Sequence, residues 1–178
     1  NNPVIFFIGR LTKQKKLDML FKLLQKSEKS LNFNIVLIGD GPEMTNLVNL
    51  SQSLNLSHKC WFYGDCYDEV EIANLIYNSD LCVSPGNVGL TAIHSLMYGT
   101  PVITHSNFIN QGPEFEAIIY NKTGNFFIEN DIDDLHSKVS YWLNNFKDRE
   151  NHRDQCFKVI DKFYNPKFQF DVIKEVIR

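Results

Sequence analysis

The sequence has few cysteines, and none lies at the spacing of a metal site. None of its four cysteines belongs to a Cys-x-x-Cys motif, so no bound zinc is expected. All four are predicted to be reduced thiols of a cytoplasmic protein. Cys82, which lies in an apolar run, is predicted to be a small core residue.

Positive charge and long apolar runs are also lacking. The 18 Lys and Arg residues are outnumbered by 21 Asp and Glu residues, and the net charge is −3. A nucleic-acid partner is therefore not expected, although a local basic patch is compatible with this balance. No apolar run approaches the roughly 18 residues that span a bilayer, and no signal peptide is visible.

Two common catalytic motifs are missing. The sequence contains no GxxxxGK[ST] segment and no GxSxG segment. Neither a P-loop ATPase nor a hydrolase with a nucleophile elbow is therefore expected. No repeat or low-complexity segment interrupts the 178 residues, a length that suits one α/β domain.

Short apolar runs alternate with segments of helical periodicity. Leu17, Phe21 and Leu24, for example, recur at helical spacing between two apolar runs. This alternation predicts an α/β fold, a Rossmann-like parallel sheet with helices on both faces and with strands buried on both sides. The predicted strands are 4–8, 34–38, 60–63, 81–83, 101–104 and 125–128. The predicted helices include one with Pro42 in its first turn, one at about 69–77 and one at 89–98.

From Asp131 onward the pattern is helical only. A helical C-terminal extension is expected from about position 146. Its last helix is expected at 170–176, after a break at Pro166. The strand-rich part shows where to look for a site, because ligands of such sheets bind beyond the carboxyl ends of the strands. The loops after residues 8, 38, 63, 83 and 104 are therefore the candidates.

The loop after the first strand is rich in cations. Gly9 is followed by Arg10, Lys13, Lys15 and Lys16 in an acidic chain. A flexible glycine followed by Arg and Lys suits a diphosphate, since Arg binds bidentately and Lys adds a point charge. A solvated basic loop that starts a helix explains the same residues, and composition leaves the two interpretations equally open.

Glycines precede two of the predicted helices. Gly89 lies at a helix N-terminus, where free N–H groups bind phosphate, although simple helix initiation is the commoner explanation. The segment 39–44 is similar to a dinucleotide-binding fingerprint, but Met44 replaces its third glycine. We predict a tight turn there rather than a nucleotide contact.

Three titratable side chains are predicted near the same edge of the sheet. His94 comes one helical turn after Leu90, although a lone helical histidine is more often packed or capped. Glu114 and Glu116 follow the fifth strand, in a loop on the ligand side. A functional role and a solvated loop are equally open for these two carboxylates.

In their order, these segments resemble the C-terminal, donor-binding domain of the family-four retaining glycosyltransferases, which have the GT-B architecture. The match covers roughly residues 4 to 145 and rests on the whole series rather than on any single segment. In chain order the segments are GRL at 9–11 with Lys15, VLIGDGP at 36–42, FYG at 62–64, GL at 89–90 with GTPVI at 99–103, and KTG at 122–124.

The resemblance implies a nucleotide sugar as the ligand. It implies that Arg10 and Lys15 hold the donor diphosphate and stabilise it as it leaves, so that no metal cofactor is needed. The start of the helix after the fourth strand is implied to hold the same phosphates. The segment after the third strand is implied to lie against the base. The residues at these two places are Gly89, Leu90 and Thr91, and Asp65 and Cys66.

The family pattern is altered at one place. Family members have two glutamates eight positions apart around the Gly-Leu segment, where this sequence has Gly86 and His94. A neutral His94 would then contact the ribose, and Asn87 or a loop glutamate would contact the sugar. Spacing from the KTG segment favours Glu116 over Glu114. The change indicates a different donor sugar or a domain without transferase activity.

The resemblance predicts a glycosyltransferase that moves a hexose-type sugar from UDP or GDP to a glycan or lipid-linked acceptor, with retention. Bacterial polysaccharide assembly at the inner face of the membrane is the implied setting. Residues 1 to 178 are expected to form one nucleotide-sugar-binding domain, which is not expected to complete a reaction without the family's N-terminal acceptor domain.

That missing domain is expected to cover an apolar patch around Phe157, Phe163 and Phe168. Two alternatives to a transferase are left open. A nucleotide-sugar epimerase would use the same diphosphate contacts with acid/base residues at the sugar. A non-catalytic binding domain would explain the missing glutamate pair.

Overall fold

A computed structural model describes residues 2–28, 30–145 and 148–177. The strands in this part of the chain are β1 (Val4–Ile8), β2 (Asn34–Ile38), β3 (Cys60–Gly64), β4 (Leu81–Ser84), β5 (Val102–His105) and β6 (Gly124–Phe127). They form one parallel sheet in the order β3-β2-β1-β4-β5-β6. The predicted Rossmann-like α/β fold is confirmed.

The helices cover both faces of this sheet. They are α1 (Asp18–Ser27), α2 (Met44–Ser53), α3 (Glu69–Tyr77), α4 (Thr91–Met97), α5 (Ile132–Asn145), α6 (Arg149–Phe163) and α7 (Pro166–Val176). Short 3₁₀ segments lie at Lys13–Lys15 and Pro113–Ala117. Over the described ranges, every helix is too short or too polar to cross a bilayer.

Alternating side chains of the strands fill two separate cores. Phe7 and Leu37 belong to the core under α1, α2 and α5. Phe6 and Val36, one position earlier on the same strands, belong to the core under α3, α4 and α6. Strands covered on both faces have to be apolar at successive positions, which is why β1 and β2 are continuous apolar runs.

The strand order reverses between β1 and β4. The chain builds β2 and β3 on one side of β1 and then crosses to build β4, β5 and β6 on the other. In open α/β sheets the connecting loops diverge at such a point and leave a crevice beyond the carboxyl ends of the two strands. The loop of Gly9 and Arg10 therefore lies next to the loop that leads into α4.

The prediction that the strands are buried on both sides is wrong for β3. This strand lies at the edge of the sheet, and Trp61 in its middle is 54% exposed. An edge strand has a neighbour on one side only, so less of its surface is covered. The central strands β1 and β4 do match the prediction.

Three predicted helix starts are also shifted. α2 begins at Met44, so Pro42 lies in the turn before it rather than in its first turn. α4 begins at Thr91 rather than at residue 89. α7 begins at Pro166, because Asn165 caps the helix by accepting from the amide of Phe168. Proline fits the first helical position because its missing N–H would be unpaired there.

The C-terminal helices differ in how firmly they are packed. The boundary predicted near position 146 falls on residues 146 and 147, which lie outside the described residues. α6 belongs to the core, since Cys156 and Ile160 are buried against the sheet side, whereas α7 has no buried residue. The predicted apolar patch is present, with Phe157, Phe163 and Phe168 each between 37% and 41% exposed.

Candidate functional site

The loops after β1 and β4 are joined at Lys15. Its backbone oxygen accepts a 3.0 Å hydrogen bond from the amide of Gly86. Its ammonium donates to the backbone oxygen of Asn87 at 2.6 Å and lies 3.5 Å from that of Val88. One residue therefore fixes the two loops against each other and places a cation where α4 begins.

Gly86 is required by this close approach. A Cβ atom at this position would overlap the carbonyl oxygen of Gln14 and lie 2.8 Å from the carbonyl carbon of Lys15. Both neighbours are backbone atoms, which cannot rotate away as a side-chain end can. The glutamate that the family pattern has at this position does not fit the backbone of this chain.

Lys15 is partly shielded from solvent. Burial lowers the pKa of its ammonium below the ordinary 10.5, and the carboxylate of Glu114 opposes that shift. A cation that has already lost much of its water is a strong partner for a phosphate, because the remaining desolvation cost is small. Lys15 is therefore well placed to bind an anion that enters the crevice.

Of the two loop carboxylates, the structure brings Glu114 to the site. Glu114 acts electrostatically on Lys15, and its Oε2 atom is buried without a hydrogen-bond partner among the described residues. Glu116, which spacing favours, is exposed. Glu116 therefore stays a prediction from spacing, whereas Glu114 is the loop carboxylate that acts on Lys15 in the structure.

The start of α4 is held against the end of β1. The hydroxyl of Thr91 donates to the backbone oxygen of Ile8 at 2.8 Å, so its side chain has a structural role. Leu90 is 73% exposed, and Gly89 has a left-handed φ of 53°. What this segment offers to a ligand is its backbone N–H groups, because the first turn of a helix leaves them unpaired.

A cavity of about 490 Å³ lies between the segments that follow β1, β2 and β3. Arg10 lines it together with Gly9, Asp65 and Cys66. Its floor is the loop after β2, where Gly39 has a φ of 126° and packs against the backbone of Gly9. The predicted turn at 39–44 is therefore present, and it also shapes this cavity.

His94 faces helix α3. Its Nε2 atom lies 3.6 Å from Oε2 of Glu69, which also accepts a 2.9 Å hydrogen bond from the hydroxyl of Tyr98. A carboxylate that sequence reasoning missed therefore lies beside the histidine. Glu69 opens α3, and nothing in the sequence shows that α3 and α4 are neighbours on one face.

A second polar cluster, also missed from the sequence, lies beyond β6. Glu129 accepts hydrogen bonds from the ammonium of Lys16 at 2.6 Å and from the side-chain amide of Asn107 at 2.7 Å. These contacts lower the pKa of Glu129 to about 2. Glu129 follows a predicted strand, and this position could have indicated it as a candidate, because ligands of such sheets bind at the loops beyond the carboxyl ends of the strands.

His105 at the end of β5 completes this cluster. Its ring is almost fully buried, and burial lowers its pKa below the ordinary 6.5. Its Nδ1 atom accepts a hydrogen bond from the backbone N–H of Asn107 at 3.2 Å. The neutral ring therefore carries its proton on Nε2, which is a hydrogen-bond donor.

No metal-binding group of three or more His, Cys, Asp or Glu side chains occurs within residues 2–28, 30–145 and 148–177. Glu114 lies near Lys15, and the carboxylates Asp40 and Asp65 line the same cavity as Arg10. Arg10 and Lys15 place two cations at the crevice. Such an arrangement suits an anionic ligand with two or more phosphate groups.

This chain is similar in sequence to known glycosyltransferases. An uncharacterized glycosyltransferase of Methanocaldococcus jannaschii is 30% identical over 109 residues, which are 60% of this chain and 28% of that protein. The O-antigen biosynthesis glycosyltransferase WclY of Escherichia coli is 34% identical over 99 residues, 54% of this chain and 26% of that protein.

Solved structures show the same fold. The Anabaena HepE protein in complex with UDP has a TM-score of 0.83 at 18% identity, covering 99% of this chain and 49% of that one. This chain thus spans about half the length of that protein and less than a third of the two relatives. The model of the family described as glycosyl transferases group 1 matches residues 1–158. The predicted resemblance is confirmed: this chain belongs to the glycosyl transferases group 1 family.

Proposed function

We propose that this chain is the donor-binding half of a retaining glycosyltransferase that uses a nucleoside diphosphate sugar. The observation that carries the proposal is Lys15, a partly buried ammonium fixed to the loop before α4 by the backbone of Asn87. A diphosphate in the crevice would meet this cation on one side and Arg10 on the other.

The two cations would act on the leaving group. Breaking the bond between the sugar and the diphosphate leaves negative charge on the terminal phosphate, and fixed cations stabilise that charge as it develops. Lys15 and Arg10, with the N–H groups of Gly89, Leu90 and Thr91, are proposed to do this without a metal ion. Burial lowers the pKa of Lys15, and the carboxylate of Glu114 opposes that shift and so favours the charged ammonium.

The cavity lined by Arg10 is proposed to hold the base. Its volume of about 490 Å³ is within the range of small-molecule pockets. Asp65 and Cys66 are the proposed base contacts, and His94 is the proposed ribose contact. The HepE protein has been solved with UDP, which supports a uracil nucleotide, with GDP as the second candidate.

The acceptor is proposed to come with a second domain. This chain spans about half the length of the solved protein that it superposes on, and both substrates have to be held together for the transfer. The relationship to an O-antigen biosynthesis enzyme supports a glycan or lipid-linked acceptor and an enzyme at the cytoplasmic face of a membrane.

Sugar transfer by the full-length protein tests this proposal. Arg10→Ala and Lys15→Ala are expected to reduce transfer from the donor by about tenfold or more each, since each removes a charge-assisted contact. Lys13→Ala, an exposed cation on the same loop, is the matched control and should change little. Transfer that is unchanged in both site variants contradicts the mechanism. A changed sugar in the absence of acceptor would indicate an epimerase instead.

A further inference from the structure

A second cavity, of about 380 Å³, lies beyond the carboxyl ends of β5 and β6. Asn87, His105 and Glu129 line it, together with Gln14 and Asn110. It is separate from the cavity that Arg10 lines. In the sheet, β5 and β6 lie on one side of β1, and β2 and β3 lie on the other. The two cavities therefore lie on opposite sides of the crevice.

The walls of this cavity are held in place before any ligand binds. The side-chain amide of Asn87 donates to the backbone oxygen of Asn110 at 3.0 Å. The side chain of Gln111 accepts from the amide of Val88 at 2.8 Å and donates to the backbone oxygen of His105 at 3.1 Å. The loops after β4 and β5 therefore form one rigid rim.

Two side chains in the cavity have hydrogen-bonding capacity to offer. His105 is 1% exposed, and its Nε2 donor has no hydrogen-bond partner among the described residues. The carboxylate of Glu129 is held by Lys16 and Asn107, but two carboxylate oxygens accept up to about four hydrogen bonds. The lining of the cavity thus includes both a hydrogen-bond donor and a hydrogen-bond acceptor.

The chemistry of the lining indicates a neutral ligand rich in hydroxyl groups. The negative charge of Glu129 is balanced by Lys16, and the other polar groups are amides and a neutral imidazole. An additional anion would find no free cation in this lining. A hydroxyl group both donates and accepts, and so matches His105 and Glu129 together.

The cavity is also directly connected to the diphosphate position. Asn87 lines the cavity, and its backbone oxygen accepts from the Lys15 ammonium. Gly86, which lines the cavity too, bonds to the backbone of Lys15. A ligand in the cavity is therefore one residue away from the cation that would hold the phosphates.

We propose that this cavity binds the sugar ring of the donor, with Nε2 of His105 donating to one ring hydroxyl and Glu129 accepting from another. The inference rests on the proposed function, because a donor diphosphate is needed to bring the sugar to this place. Glu129 and His105 are then the residues that determine which sugar is accepted.

The test compares two ligands on the full-length protein. Dissociation constants are measured by calorimetry for UDP against UDP-glucose and UDP-galactose, and for GDP against GDP-mannose. Glu129→Gln and His105→Phe are expected to leave the diphosphate constant within about twofold. They are expected to weaken binding of the preferred nucleotide sugar by about tenfold, the effect of losing one buried hydrogen bond to a charged or imidazole group.

Asp133→Asn is the matched control for Glu129→Gln. Asp133 is a carboxylate paired with Lys26 at the surface, so the substitution makes the same chemical change away from the cavity. Two variants, one at the end of β5 and one in the segment after β6, are used because either alone can disturb folding. If both bind the nucleotide sugar as tightly as the natural protein does, the inference is wrong.

Two further outcomes are distinguishable. Loss of diphosphate and nucleotide-sugar binding in equal proportion, in both variants, means that the cluster only supports the fold, and this overturns the inference alone. A natural protein that binds neither diphosphate overturns the proposed function and the inference with it.

Discussion

The amide of Gly86 donates a hydrogen bond of 3.0 Å to the backbone oxygen of Lys15. This bond joins the loops after β1 and β4 at the point where the strand order reverses. Because the backbone of Lys15 is fixed here, its side chain is directed to the oxygen of Asn87. The position of the ammonium is therefore determined by the fold before a ligand arrives.

The first prediction concerns the close approach at Gly86. Gly86→Ala should lower the free energy of unfolding by about 1–3 kcal/mol, the usual cost of forcing extra atoms into a packed region. The added methyl group would overlap the backbone of Gln14. Chemical denaturation measures the change.

Gly112→Ala is the control for Gly86→Ala. The atom nearest to an added methyl group there is the end of the Glu114 side chain, which can rotate away. Its unfolding midpoint should move less than that of Gly86→Ala. Equal effects of the two substitutions would mean that the contact between the loops is not tight.

The second prediction concerns proton uptake at Lys15. Burial lowers the pKa of the free ammonium, and a bound diphosphate favours the charged form. As the pH rises through the lowered pKa, binding should therefore take up as much as one proton, and affinity should fall. Calorimetry in two buffers of different ionisation enthalpy measures this uptake.

Lys15→Arg separates this effect from the ionisation of other groups. Arginine stays charged throughout the accessible range, so the variant should bind without alkaline proton uptake. Persistence of the same uptake in the variant would assign the proton to another group.

The third prediction concerns His94 and Glu69. If Glu69 acts by orienting His94, Glu69→Gln should weaken nucleotide binding in the natural protein but have little additional effect in His94→Ala. The expected coupling is about 0.5–3 kcal/mol, typical of residues in contact. A double-mutant cycle on the dissociation constant of the nucleoside diphosphate measures it, and additive effects would argue against the pair.

The fourth prediction concerns stability in acid. Folding lowers the pKa of Glu129 from 4.5 to about 2 through its bonds with Lys16 and Asn107. A carboxyl group with a lowered pKa in the folded state adds stability that is fully present above about 4.5 and lost as the pH falls toward 2. Urea unfolding of Glu129→Gln should show a smaller loss of stability across this window. An unchanged slope would show that the ion pair does not contribute.

Much of the fold could be predicted from the sequence. The apolar runs of β1, β2 and β4 were recognisable because strands covered on both faces have few polar positions. Helix α3 was predicted with its observed bounds, Glu69–Tyr77. What periodicity did not give was the order of the strands, so the edge position of β3 and the exposure of Trp61 were not foreseen.

The site was predicted where the chain brings it together locally and missed where distant segments meet. Lys15 was a candidate from the sequence because cations cluster after β1. Glu129 and His105 were missed, since their contacts with Lys16 and Asn107 depend on the packing of loops that are far apart in the chain. The choice of Glu116 relied on spacing, which does not show how a 3₁₀ turn orients its side chains.

The most direct test of the account is whether a nucleoside diphosphate stabilises the protein through Arg10 and Lys15. The thermal midpoint of the full-length protein is followed during titration with UDP, GDP and ADP, and the titrations are repeated with Arg10→Ala and Lys15→Ala. One diphosphate is expected to add roughly 2.7 kcal/mol of stability at about 100 times its dissociation constant, and the variants should lose most of this gain. No shift with any of the three at millimolar concentration would contradict the account.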